Sequence, residues 1–128
     1  MQKMILPQEL DVWYVLPAIR KEFALEMIKH GLNQKEVAKL LSLTEAAVSH
    51  YKNDNRAKED LIDEKTKKEI KNSVETIIKN NNLLFHEIMR IDNMLKINGI
   101  FCKIHKSKSF TPDKCEMTCE KTFLRIGK

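Results

Sequence analysis

Residues 33–52 read NQKEVAKLLSLTEAAVSHYK, and the spacing predicts two short helices joined by a tight turn. Asn33 can accept a bond from the backbone at the start of a first helix, and Glu36, three residues on, can return one to the Asn33 N–H. Val37, Ala38, Leu40 and Leu41 then fall on one side of that helix. Ser42 and Leu43 make the turn, and Thr44 caps a second helix through Tyr51. Ala47, Val48 and Tyr51 form its inner stripe, which leaves Glu45, Ala46, Ser49, His50 and Lys52 facing outward. Ala38 and Ala47 are small enough to let the two helices cross closely.

That geometry suits a unit whose second helix enters the major groove of double-stranded DNA by its N-terminal end while the first crosses the phosphate backbone. On this reading Glu45, Ala46, Ser49 and His50, following the cap Thr44, face the bases. Gln34, Lys52 and Arg56 hold phosphates. The residues Gln34, Val37, Ala38, Leu40, Leu41, Leu43, Thr44, Val48, Ser49 and Tyr51 resemble the lambda-repressor-like (XRE-type) helix-turn-helix pattern. More narrowly, Tyr14 to Lys52 is similar to a group of predicted archaeal transcriptional regulators, some free-standing with a cysteine-bearing tail and some fused to thiamine-phosphate synthase domains. The resemblance implies a DNA-binding regulator. Ser42 stands where that family often has Gly, and Glu45 where it often has Gln. A carboxylate at position 45 can accept from cytosine N4 but cannot donate to adenine or phosphate, so base preference does not carry over from relatives.

With 128 residues, three Gly, three Pro and 42% hydrophobic residues, the chain is expected to be all-α. The net charge of +5 is unevenly placed. Residues 1–60 hold nine Lys/Arg and nine Asp/Glu, so the excess lies in residues 61–128, with fourteen against nine. Any phosphate affinity of the first half therefore rests on individually placed cations. No apolar run approaches the roughly 18 residues of a membrane span, and no signal peptide pattern opens the chain, so a cytoplasmic protein without a membrane partner is expected. No P-loop, dinucleotide fingerprint or hydrolase elbow appears, which argues against an enzyme.

Outward from the central pair, Met4 to Leu16 reads as a short helix with Pro7 near its start and Leu10, Trp13 and Tyr14 at helical spacing. Pro17 permits a fresh start, and Ile19, Phe23, Ala24, Met27 and Ile28 continue until Gly31. Trp13 and Phe23 are read as core. These elements make a DNA-binding domain over residues 1–60, closed by a polar run in which Lys52, Asn53, Asn55, Arg56 and Lys58 can lie along phosphates.

From Leu61 to Gly99 a helical region carries Ile70, Val74, Ile77, Asn81, Leu84, Ile88, Ile91 and Leu95 at steps of four and three. That seam suits a homodimer, which two operator half-sites require. Asn80, Asn81 and Asn82 are poor helix formers, and a break into two helices of roughly 16 residues is expected there. Lys65, Lys67, Lys68 and Lys71 read as the solvated face of the first of them.

Residues 100–128 read as a small irregular tail bearing Cys102, His105, Cys115 and Cys119, spaced C-x2-H and C-x3-C. Two near pairs separated by a loop can surround a tetrahedral ion, and thiolate with imidazole fits zinc or an iron–sulfur cluster. Two functions follow from the whole: a homodimeric DNA-binding regulator, metal- or redox-responsive through its tail, or a thiol or iron–sulfur sensor whose helices serve only assembly.

Overall fold

The computed structural model describes residues 4–53 and 61–109. Its helices are α1 (Pro7–Leu10), which passes through a π-helical turn (Asp11–Val15) into α2 (Leu16–Lys29), then α3 (Gln34–Leu41), α4 (Glu45–Asn53), α5 (Glu64–Lys79), a 3-10 turn (Asn81–Leu83), α6 (Leu84–Ile97) and α7 (Ile100–Lys108). No strand occurs among the described residues, so the all-α expectation holds.

The expected fresh start at Pro17 is replaced by continuous helix from Pro7 to Lys29. Proline lacks the N–H that would bond the carbonyl four residues back, and its ring crowds that carbonyl. The wide π turn just before Pro17 makes the room. It also resets the buried stripe, which steps by five from Leu10 to Val15 and then by four through Ile19, Phe23 and Met27. Trp13 falls off that stripe and is 54% exposed, which corrects its assignment to the core; Phe23 is fully buried, as expected.

α2 touches α3, α4, α5 and α6. It ends where Gly31 takes a left-handed conformation (φ 98°) and Leu32 N–H bonds the Met27 carbonyl at 3.1 Å, turning the chain into α3. On the far side of α2, α5 and α6 pack together as an antiparallel pair. Lys79 ends α5, the Asn80 side chain accepts from Asn82 N–H at 3.1 Å, and α6 begins at Leu84, so the helix breaks at the asparagines as anticipated. The seam between them is consumed inside one chain. Ile70, Val74, Ile77, Ile91 and Leu95 have no exposed surface, whereas Asn81 is exposed.

The expected irregular tail is helical over its first part. Gly99 (φ 85°) bends the chain into α7, whose Phe101, Ile104 and His105 are buried, and α7 lies against α6. α7 also holds the start of the chain. Ile5 N–H donates to Ser109 Oγ at 2.7 Å, and the His105 ring hydrogen-bonds the Ile5 carbonyl through Nε2.

Charges are drawn inward along α6. Lys96 Nζ lies 3.0 Å from Asp11 Oδ2 and 2.9 Å from Asp92 Oδ2, with all three side chains largely shielded from water. The other oxygens, Asp11 Oδ1 and Asp92 Oδ1, are buried without a partner among the described residues. Two carboxylates against one ammonium leave a surplus negative charge, and a proton on Asp92 removes it. Burial, the neighbouring Asp11 carboxyl and its charge together outweigh Lys96 and push Asp92 up to about 7. Lys96 is itself opposed by burial, but the two acids outweigh that and raise it. One turn earlier, burial of Glu87 is more than offset by hydrogen bonds from Ser73 and Arg90, which hold its carboxyl below the usual range.

Because Asp92 holds its proton more tightly folded than unfolded, its contribution is fully present below about pH 4 and is lost as pH rises to about 7. Asp92→Asn keeps the shape and removes the titration. Urea unfolding at pH 5 and pH 8 should therefore show this variant gaining stability relative to wild type at the higher pH, on the order of 1 kcal/mol. An equal difference between the two proteins at both pH values would contradict the raised pKa of Asp92.

Candidate nucleic-acid interface

The pair predicted over residues 33–52 forms with the expected local chemistry. Asn33 Oδ1 accepts from Glu36 N–H at 2.9 Å while Glu36 Oε1 accepts from Asn33 N–H at 3.4 Å, so α3 opens on a reciprocal cap. Ser42 adopts φ 54° and ψ 46°, the left-handed conformation that glycine takes without strain. Leu43 N–H bonds the Ala38 carbonyl at 2.9 Å, and Thr44 Oγ1 accepts from Ala47 N–H at 3.0 Å to start α4.

Burial divides the pair into two faces. Val37, Ala38, Leu41 and Val48 are buried, and Leu40, Leu43 and Tyr51 pack against the same core. Thr44, Glu45, Ala46, His50 and Lys52 are exposed. Ser49 is half-buried, with Oγ accepting from Asn53 Nδ2 at 3.4 Å. The outer face of α4 therefore presents Glu45, Ala46, the half-buried Ser49 and His50 over its first two turns and the cation Lys52 near its end. Ala46 and Ser49 let such a face approach base edges closely, with Glu45 and His50 beside them as the polar groups that can reach out.

A cleft of about 410 Å3 is lined by Ile28, Leu32, Asn33, Gln34, Lys35, Glu45 and Lys52. It brings together Gln34 and Lys52, two residues expected to hold phosphates, and adds Lys35, which the sequence reading passed over. Lys35 follows Gln34 in the first turn of α3, at the positive end of the helix dipole. The rule that cations favour helix ends of opposite sign draws attention away from a lysine there, although that is where an anion would be gripped. Glu45 shares the cleft, so an entering phosphate meets one carboxylate as well as two ammonium groups. Arg56 lies outside the described residues.

The proposed metal ligands divide in the same way. Cys102 and His105 stand one turn apart on α7, with Cys102 half-buried. His105 is engaged by the Ile5 carbonyl through Nε2, and because a carbonyl only accepts, the proton lies on that nitrogen. That Nδ1 is buried and has no hydrogen-bond partner among the described residues. No group of three His, Cys, Asp or Glu able to hold an ion occurs among the described residues. Cys115 and Cys119 lie outside them.

No helix among the described residues is long and apolar enough to cross a membrane. No known protein family, curated protein or solved structure matches the chain.

The caps set the angle at which α3 and α4 leave their turns. Asn33→Ala and Thr44→Ala should each lower stability by about 0.5–2 kcal/mol. Equilibrium urea unfolding checks this, since the midpoint should fall with the slope unchanged. Unmoved midpoints in both variants would mean that the caps contribute nothing.

Proposed function

We propose that the protein is a sequence-specific DNA-binding transcriptional regulator acting as a homodimer, with α3 and α4 as its helix-turn-helix. The observation that carries this reading is the division of α4 into a buried apolar stripe and an outer face of Glu45, Ala46, Ser49 and His50, bordered by Lys52 and by the cleft at Gln34 and Lys35. α4 inserts into the major groove by its N-terminal turns. The first turn of α3, Lys35, Lys52 and Arg56 grip phosphates on either side. Glu45 sits where it can accept from cytosine N4 and where it repels a misplaced phosphate. With few cations in this half of the chain, affinity is modest per protomer, which is why two copies act together.

The regulator carries a responsive element in the ion bound by Cys102, His105, Cys115 and Cys119, zinc or an iron–sulfur cluster. The support is His105, whose Nε2–H donates to a backbone carbonyl while its buried Nδ1 lacks a partner, an arrangement that orients an imidazole for ligation through the other nitrogen. Anaerobically purified wild type should hold about one equivalent of zinc, or iron and sulfide, and Cys115→Ser should lose it. Protein without stoichiometric metal would remove this element and leave the DNA reading standing.

Binding of labelled duplexes, followed by fluorescence anisotropy at several salt concentrations, tests the central reading. Lys35→Ala, Lys52→Ala and Arg56→Ala should each weaken binding to all sequences alike and reduce the log–log salt slope by about 0.9 per lost phosphate contact. Ser49→Ala and His50→Ala should instead change which sequence is preferred. DNA retention untouched by both groups of substitutions would exclude this surface.

A further inference from the structure

α6 buries Ile91 and Leu95 like an ordinary surface helix but carries no Asp, Glu, Lys or Arg at its exposed positions. Its charged residues Glu87, Arg90, Asp92 and Lys96 are all shielded to some degree, and each is bonded within the chain. Arg90 reaches Ser73 Oγ at 2.8 Å and Glu87 Oε1 at 3.2 Å, which ties its charge to α5. Meanwhile every exposed position from 81 to 98 is Asn, Phe, His, Met or Ile. Phe85 is 84% exposed, Met89 one turn later is 66% exposed, and Ile97 follows at 52%. The neighbouring helix α5 shows the usual arrangement, with Glu64, Lys65, Lys68, Lys71, Glu75 and Lys79 outward, in a chain that is 32% charged overall.

We infer that the exposed face of α6 centred on Phe85 and Met89 is where a second copy of this chain docks about a two-fold axis. In such an interface a face meets itself, so any net charge on it is set against the same charge. A helix face without charged residues, rich in Phe, Met and Asn, meets that requirement and matches the composition of interface centres, where charges are depleted and aromatic residues and Met enriched. Phe85, Met89 and the partly exposed Ile78, at the same end of the α5–α6 pair, offer about 300–400 Å2 of apolar surface per protomer. That is near half of the roughly 800 Å2 per partner that a stable interface buries, with the asparagines and His86 supplying a polar rim. The seam that would otherwise pair two chains is already consumed within one. The inference rests on the regulator reading only for its purpose, that two half-sites need two copies; the surface stands on the placement of charge.

Sedimentation velocity of the full-length protein at micromolar concentration tests it, without DNA. Wild type should be a dimer. Phe85→Glu with Met89→Glu, both at exposed positions, should be a monomer with unchanged circular dichroism and thermal midpoint, its dissociation constant raised at least a hundredfold. Ile78→Glu alone should weaken the dimer less. A monomeric wild type, including one whose α6 face is covered by its own residues 110–128 or reserved for a different protein, would overturn the inference. So would a double variant that remains dimeric. A dimer that fails to bind DNA would sink the regulator reading and keep the surface, while a monomer that binds DNA would do the reverse.

Discussion

Everything in this fold leans on one buried stripe, Val15, Ile19, Phe23 and Met27, along the helix that enters from the π turn. The helices α3 and α4 cover one side of α2 and α5 and α6 another, so a single row of side chains orients both halves. Emptying the place of Phe23 would cost about 3–5 kcal/mol, a large part of the roughly 5–15 kcal/mol that holds a domain together. The stripe is in register only because the chain widens by one residue ahead of Pro17. A proline that would ordinarily break a helix is thereby absorbed, and Leu10 joins the same core as Met27.

The second constraint is electrostatic. Lys96, Arg90, Glu87 and Asp92 point toward neighbouring elements, where Asp11, Ser73 and opposite charges compensate them. Charge placed in this way fixes how α6 sits against α5 and against the start of the chain, because each buried ion tolerates few alternative partners. It also strips charge from the outer face of α6. Packing inside the chain thus decides which residues α6 leaves outward, and α7, latched to Ile5 by His105 and Ser109, holds the start of the chain beside it.

Much of this was legible in the sequence because it depends on local chemistry. Caps at Asn33 and Thr44, the turn at Ser42 and Leu43, the stop at Gly31 and the break at the asparagines are each decided by a few neighbouring residues, and each occurs where expected. The outward set on α4 follows from its period alone. What could not be read depends on distant partners. Trp13 lies at helical spacing from Leu10, and only the π turn carries it off the buried stripe. The seam from Ile70 to Leu95 has the same pattern whether it meets a second chain or folds back on its own α2, and local periodicity does not distinguish the two. The tail's first part is helical because Phe101 and Ile104 are buried on one side of α7, which lies against α6, a partner that the spacing of cysteines does not reveal. Lys35 was hidden by its position, since the cleft it lines exists only once α3 and α4 are folded against α2.

On the proposed function, α4 reads bases for a protein that acts in pairs. The most direct measurement is selection from a pool of random duplexes by the full-length wild-type protein at physiological salt, followed by sequencing of the retained DNA. Enrichment of an inverted repeat, with half-sites centred about 10–10.5 base pairs apart or a multiple of that, is the predicted result. A retained pool indistinguishable in sequence from the input would contradict it.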